Sequence, residues 1–93
     1  MSNNLPTNFD KKFYAATTLD KAEADTDYVI ISNNLSKPLQ IRFAELGFVA
    51  GTKIRVINKA PMGDPLQVTL MGYSLCARSS ELKHISVKRA NDD

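Results

Sequence analysis

Side chains that could carry out catalysis are few in this sequence. Cys76 is the only cysteine and His84 the only histidine. In a Cys–His dyad the histidine activates the thiol as a nucleophile. Cys76, however, stands in the middle of a predicted strand, between Leu75 and Ala77, where a thiol is typically a small packing group. We therefore predict no catalytic residue, and we interpret His84 as a surface residue or a capping donor ahead of the last strand.

The sequence does not predict a metal or cofactor site either. Metal ions in proteins are held by several His, Cys, Asp or Glu side chains at workable spacing. Asp64, Glu81 and His84 could meet in three dimensions, but nothing in their spacing requires it. No glycine-rich loop is closed by the Lys-Ser or Lys-Thr pair of a phosphate-binding loop. We predict that the chain has no metal ligands and no cofactor.

Positive charge is concentrated in residues 28–91. That segment carries nine Lys or Arg residues against three acidic ones, although the formal net charge of the whole chain is only +2. Such a surplus favours an acidic partner, a nucleic acid or an anionic membrane surface, but it is also typical of solvated outward strand faces. A basic stripe would consist of Lys53, Arg55, Lys59, Arg78, Lys83, Lys88 and Arg89.

Nucleic-acid binding is the alternative function that this charge suggests. Proteins that bind single strands usually also offer aromatic side chains on which bases stack. Tyr28 and Tyr73 are the only plausible strand aromatics here, and tryptophan is absent. A basic small-barrel module for nucleic acid therefore stays as an alternative, and we do not expect nucleic acid as the partner.

Length and composition indicate one small globular domain. The 93 residues are 43% hydrophobic and 24% charged, which is ordinary for a folded protein and wrong for a disordered one. No apolar run approaches the roughly 18 residues of a membrane span, and no basic segment near Met1 leads into an apolar stretch. We expect a cytosolic protein without membrane insertion, with a loosely docked lead over 1–16 and a domain over 17–90.

Most of the predicted elements are short strands. Alternation of apolar and polar residues, or β-branched runs, predicts strands over 28–32, 53–57, 66–71, 73–77 and 85–87. Gly72 stands where a tight hairpin must turn. About five short strands with tight turns favour a closed or nearly closed β-barrel. The predicted core consists of Ile54, Val56, Leu66, Val68, Leu70, Leu75 and Val87.

One short helix is predicted between the first two of these strands. Two single helical turns are also expected, one from Thr17 and Thr18 onwards and one near 79–83. Ser36 can cap the short helix, and Pro38 suits its first turn. Gly47 suits the left-handed residue that ends it, and in the Schellman arrangement Phe48 packs back on Phe43. The buried face of the helix carries Leu39, Phe43 and Leu46.

The segment from Arg42 to Phe48, followed by Gly51-Thr52-Lys53-Ile54, resembles the signature of the FeoA family of small ferrous-iron transport A proteins. The resemblance continues through Pro61 and Gly63-Asp64-Pro65, and in register over about residues 18–88. Ala50 departs from the usual proline, Phe43 from the usual leucine, and Cys76-Ala77 from the usual aliphatic pair. Its structural motif positions are Leu46, Gly47, Gly51, Gly63, Asp64, Pro65, Gly72 and Arg78.

The resemblance implies a mainly β fold, an SH3-like barrel of about five strands with a short inserted helix. It also implies a non-enzymatic accessory or regulator of FeoB, the membrane ferrous-iron permease with a cytosolic GTPase domain. Such a protein would be cytoplasmic, at the inner face of the membrane, and it could form a weak homo-oligomer.

A partner-binding face is predicted from apolar residues at turns and from the outer side of the helix. Apolar side chains beside glycines and prolines tend to reach the surface, where their clustering marks interaction sites. Aromatic, Met and Arg side chains are enriched at the centres of interfaces. The predicted partner-binding residues are Ile41, Arg42, Phe48, Met62 and Tyr73.

Overall fold

Six antiparallel strands and two short α-helices form the part of the chain that the computed structural model describes, residues 16–59 and 64–90. The mainly β class with one inserted helix is confirmed. In chain order the elements are β1 (Thr17–Thr18), a 3-10 turn (Leu19–Lys21), β2 (Asp27–Asn33), α1 (Lys37–Glu45), β3 (Lys53–Lys59), β4 (Leu66–Leu70), β5 (Tyr73–Ala77), α2 (Ser79–Leu82) and β6 (Ile85–Arg89). Nearly all of the predicted lead lies outside the described residues.

The strands form one sheet in the order β1-β6-β2-β3-β4-β5. Register shifts interrupt the β2–β6 pairing between Ile30 and Ser32 and the β3–β4 pairing between Val56 and Asn58. Bulges of this kind increase the local twist, and the sheet curls around a single core. β1 and β5 stand at its two edges and do not pair with each other, so hydrogen bonds do not close the barrel.

The core is built from the inward faces of the strands. Of the seven predicted core residues, all except Leu75 are buried: Ile54, Val56, Leu66, Val68, Leu70 and Val87. Leu75 is half-buried against the core because β5 is an edge strand with a neighbour on one side only. Leu39 of α1 and Leu46, its C-cap residue, are likewise half-buried, while Phe43 is buried, which confirms the predicted inner face of this helix.

The helical turn expected from Thr17 and Thr18 onwards is present, but it is the 3-10 turn Leu19–Lys21 with Thr18 at its N-cap position. Thr17 and Thr18 themselves are extended, which the prediction did not foresee. They pair with Val87 and Ser86 as strand β1, and only the next three residues are helical. β-branched residues such as threonine fit an extended, paired backbone well. Thr18 therefore ends β1 and also stands at the N-cap of the turn, although its side chain makes no capping hydrogen bond.

Helix α1 begins after Ser36, with Pro38 in its first turn as predicted. The backbone of Ser36 is extended, and its carbonyl accepts a hydrogen bond of 2.8 Å from the N–H of Gln40. Its hydroxyl makes no capping hydrogen bond, however. Position and backbone conformation are thus those of an N-cap, without the side-chain contribution that the sequence suggested.

The C-terminal end of α1 is a Schellman motif, as predicted. Gly47 has a φ of +103°, and its N–H donates to the carbonyl of Ala44 at 3.0 Å, while the N–H of Phe48 donates to that of Phe43 at 2.9 Å. The two phenyl rings meet edge to face, with centroids 4.9 Å apart. Phe48 is consequently buried, at 3% exposure, and the prediction that it reaches the surface for a partner is wrong.

A two-residue turn joins β4 to β5. Leu70 pairs with Tyr73, and both intervening residues have positive φ, +52° at Met71 and +83° at Gly72. Two successive left-handed residues define the type I′ turn, whose twist matches that of the flanking strands. The predicted hairpin at Gly72 and its positive φ are confirmed.

A cross-strand ion pair makes stability depend on pH. Asp27 and Arg55 are opposite each other on β2 and β3, and the Arg55 Nε donates to the Asp27 carboxylate at 2.8 Å. This hydrogen bond holds the pKa of Asp27 below its ordinary value of 3.8.

Because folding lowers this pKa, the stabilisation is complete above the unfolded value and is lost as the pH falls through the folded one. We therefore expect Asp27→Asn to remove part of the acid sensitivity of unfolding, measured as the free energy of unfolding by urea at neutral and acidic pH. The effect is small, since both side chains are more than one third exposed. An Asp27→Asn variant with the same pH dependence as the natural chain would contradict this assignment.

Candidate partner-binding surface

The end of α1 rests on the β4–β5 hairpin. The Tyr73 hydroxyl donates a hydrogen bond to the carbonyl of Leu46, one of the carbonyls that a helix end leaves without a helical partner. Met71 lies directly against Gly47: a Cβ atom added to this glycine would stand 2.5 Å from the Met71 Sδ. The absence of a side chain at Gly47 thus leaves room for Met71, and the two contacts fix the hairpin to the helix.

Large apolar side chains are exposed at this junction. Met71 is 71% exposed and Tyr73 40%; we call these two residues, with the Leu46–Gly47 backbone beneath them, the hairpin surface. The other large apolar residues with substantial exposure in the described part are Ile31, Ile41 and Val49. The hairpin surface combines a flexible thioether with an aromatic ring, two side-chain types that are common at interface centres.

The predicted partner-binding residues differ in their exposure to solvent. Ile41, Arg42 and Tyr73 are exposed, as the prediction requires, and Phe48 is buried. Met62 and the motif glycine Gly63 lie outside the described residues. Met71 was missed, because the alternation of β4 placed it on the polar strand face. Its position just before Gly72 in a two-residue turn is the signal that could have found it.

A cleft lies at the far end of β5, between the two helices. Its volume is about 380 Å³, and its lining consists of Arg42, Asp64, Pro65, Cys76, Ala77, Arg78 and Glu81. Asp64 accepts a hydrogen bond of 2.8 Å from the N–H of Ser79, which ties the segment before β4 to the start of α2. Arg42 and Arg78 make no ion pair with the residues that the structure describes.

The two residues considered for catalysis do not share this cleft. Cys76 is exposed, so its predicted role as a packing group is wrong: Leu75 and Ala77 take the inward positions of β5 and turn Cys76 outward. His84 does not line the cleft, and its Nδ1 is 2.9 Å from the Asn34 Oδ1. Asn34 and His84 thus connect the end of β2 to the start of β6, which is a structural contact.

Within residues 16–59 and 64–90, no three His, Cys, Asp or Glu side chains come together in a way that could hold a metal ion. Asp64 and Glu81 line the same cleft, but His84 does not join them. No helix in this part of the chain has the length and apolar character that crossing a membrane requires.

The predicted basic stripe is partly neutralised. Arg55 pairs with Asp27, and Arg89 pairs with Glu23. Tyr28, one of the two candidate stacking residues, is buried, and its hydroxyl accepts a hydrogen bond of 3.0 Å from the Glu23 N–H. Tyr73 is therefore the one strand aromatic of the described part that a base could reach.

Comparison with known proteins identifies the family. The FeoA domain profile matches residues 17–89, which includes every strand and helix described above. The chain belongs to the FeoA family. No match to a curated protein was found. The resemblance that the motifs around Gly47 and Gly72 suggested is thus confirmed.

Solved FeoA structures share the fold. The solution structure of FeoA from Chlorobium tepidum is 30% identical, with 83% of this chain and 73% of that chain covered at a TM-score of 0.76. A FeoA-like protein from Clostridium acetobutylicum is 33% identical; the match covers 85% of this chain and 92% of that chain, with a TM-score of 0.74. FeoA from Stenotrophomonas maltophilia, crystallised with zinc, is 30% identical; the match covers 80% of this chain and 99% of that chain, with a TM-score of 0.65.

The last of these proteins is described as an SH3 domain protein and as a candidate activating factor of ferrous iron transport. The predicted SH3-like class of this chain is thereby confirmed. FeoA is a family associated with ferrous iron transport, and it is not a known enzyme family.

Proposed function

We propose that this FeoA protein is a non-enzymatic accessory of ferrous iron uptake that acts by binding the FeoB transporter. The observation that carries the proposal is the hairpin surface, where Met71 and Tyr73 are held exposed against the end of α1. Exposed apolar side chains that the fold actively positions are typical of interaction sites. Ile41 and Arg42, exposed on the same helix, are further candidates, and Met62 remains a proposed contact from the sequence.

A non-enzymatic role is supported by the absence of buried charged side chains in the described part of the chain. Every buried side chain in the described part belongs to the hydrophobic core, and none is charged. Catalytic acids and bases are usually tuned by burial beside other charges, and the described residues offer no such group.

We infer that the protein works in the cytoplasm, at the inner membrane face where the GTPase domain of FeoB lies.

Nucleic-acid binding receives less support from the structure. Two of the predicted basic-stripe arginines are paired with carboxylates, and one of the two candidate stacking tyrosines is buried. Retention on single-stranded nucleic acid that falls steeply with salt would be the sign of that alternative.

The test is a double substitution of the hairpin surface, Met71→Ser with Tyr73→Ser. We expect co-purification with FeoB to fall at least about tenfold, because truncation of the few hot-spot side chains at an interface centre costs about 2 kcal/mol or more, and about 1.4 kcal/mol is already tenfold in affinity. Ferrous iron uptake by cells that carry the variant in place of the natural chain should fall with it. Circular dichroism and urea unfolding establish that the variant is folded.

Ile31→Ser is the matched control. Ile31 lies on β2 and is 39% exposed, close to the 40% of Tyr73, so the control removes one comparably exposed apolar side chain from outside the hairpin surface. The control should bind FeoB and support uptake as the natural chain does. Equal binding and uptake by the double variant would refute the hairpin surface, and a natural chain that never associates with FeoB would refute the function.

A further inference from the structure

β5 is an edge strand without the usual protection of sheet edges. Natural proteins guard such edges with charged residues, proline, bulges or a very short strand. The sequence of β5, Tyr-Ser-Leu-Cys-Ala, has neither charge nor proline, and its pairing with β4 runs without a register shift over five residues. The other edge, β1, has only two residues, and both bulges lie in the interior of the sheet.

The register shows which backbone groups of β5 are free. A two-residue hairpin is closed by a hydrogen-bonded pair, here Leu70 and Tyr73, and such pairs alternate along an antiparallel ladder. Leu75 and Ala77 therefore also bond to β4, whereas the N–H and C=O of Ser74 and Cys76 point away from the sheet. These groups make no hydrogen bond to any residue that the structure describes, and both residues are exposed.

The charged cleft continues this edge at its far end. Cys76 itself lines the cleft, with Arg42 on one side and Arg78 after the end of the strand. Both guanidinium groups are without an ion-pair partner in the described part, and one oxygen of Asp64 is already engaged by Ser79. Guanidinium groups bind carboxylates in two-pronged hydrogen bonds. The lining also carries Asp64 and Glu81, so its formal charge is balanced. The feature that can receive an acidic side chain is therefore the pair of unpaired guanidinium groups, and not a surplus of positive charge.

We propose that β5 receives an extended, acidic segment of the partner as an added strand. Main-chain hydrogen bonds to Ser74 and Cys76 hold the segment, as in β-augmentation generally, and a carboxylate near its end binds Arg42 and Arg78. The hairpin surface at Tyr73 lies at the other end of the same strand and contacts its apolar part. The inference rests on the proposed function, since it names the element by which FeoB binds.

Proline at position 74 tests the main-chain contact. Proline lacks the N–H and is tolerated on an edge strand where that group faces away from the sheet, so Ser74→Pro leaves the β4–β5 ladder intact. Ser74→Ala is the matched control, because it removes the same hydroxyl and keeps the N–H. With detergent-solubilised FeoB as the probe, we expect Ser74→Pro to bind about tenfold more weakly than Ser74→Ala, the effect of one lost main-chain hydrogen bond and of the partner's acceptor that it leaves unsatisfied.

Charge variants test the cleft without touching the backbone. Arg42→Glu with Arg78→Glu should weaken FeoB binding at least about tenfold and flatten its dependence on salt, because the attraction that salt screens is gone. Glu81→Gln should strengthen binding, since it removes a negative charge from the same cleft. These variants also decide the matter if Ser74→Pro does not fold.

Amide hydrogen exchange locates the added strand. In the natural chain alone, the amides of Ser74 and Cys76 should exchange fast and those of Leu75 and Ala77 slowly. A second sample exchanges while bound to FeoB, is then quenched, and its amides are measured by NMR after release of the chain. In that sample the amides of Ser74 and Cys76 should exchange at least about tenfold more slowly.

The outcomes separate the two claims. If Ser74→Pro and the arginine variant bind FeoB as well as Ser74→Ala does, the strand addition is wrong and the proposed function stands. If the natural chain does not bind FeoB at all, both are wrong. Protection of Ser74 and Cys76 that rises with the concentration of the chain alone would make a second copy the occupant and would overturn the proposal of an acidic partner segment.

Discussion

Replacement of Leu82 by alanine is expected to lower the free energy of unfolding by about 2–5 kcal/mol, as for other buried leucines. Leu82 is fully buried at the end of α2, which packs against the 3-10 turn. Since small domains are stable by only about 5–15 kcal/mol, this one change removes a large share of the total. Urea unfolding followed by circular dichroism measures it.

Leu39→Ala is the control, because it deletes the same atoms from a side chain that is only half-buried on α1. Its cost should be clearly smaller, since less apolar area leaves water on folding and a smaller cavity remains. Equal losses for the two variants, or a loss within error for Leu82→Ala, would mean that α2 does not anchor this end of the barrel.

Gly47→Val should destabilise the domain by about 1–3 kcal/mol through backbone strain. A φ of +103° is a conformation that β-branched residues almost never adopt. The new side chain also meets the Met71 Sδ, which must move because the two atoms cannot be 2.5 Å apart. The methyl NMR signal of Met71 should therefore shift, along with the midpoint of urea unfolding.

Gly72→Val separates the two effects. Gly72 has a comparable φ of +83°, and nothing lies within 4 Å of a Cβ added there, so this variant reports strain alone. We expect Gly47→Val to cost more than Gly72→Val in the natural chain, and the difference to shrink when Met71 is alanine. A Gly47→Val variant as stable as the natural chain would contradict the requirement for glycine at this helix end.

Local sequence patterns predicted the fold well where interactions between residues close in sequence determine the structure. Alternation assigned the inward residues of β3 and β4, since a strand with one wet face must alternate. The Schellman motif at Gly47 was predictable because all of its hydrogen bonds are within six residues. Leu19 and Leu82 were missed as core residues, because each sits in a single helical turn that is too short to show a period.

The candidate partner-binding surface was only partly predictable, because tertiary packing decides which of its side chains are exposed. Phe48 had two competing interpretations, as the apolar contact of a Schellman motif and as an exposed partner residue, and packing on Phe43 decided between them. Cys76 was interpreted as a small packing group from its position between Leu75 and Ala77, but those neighbours take the inward positions of β5 and Cys76 is exposed. Met71 was hidden in a strand pattern, and its contact with Gly47 joins two parts of the chain that are distant in sequence.

By itself, the sequence determined the class of fold, the faces of β3 and β4, the end of α1, the hairpin turn and the family motifs. These depend on period, turn chemistry and residue type, which act over a few positions. Tertiary structure alone decided that β5 lies at an edge, that Arg42 and Arg78 meet at one cleft, and that Tyr73 binds the end of α1. Those facts follow from strand order and from the curl of the sheet, and non-local pairing sets both.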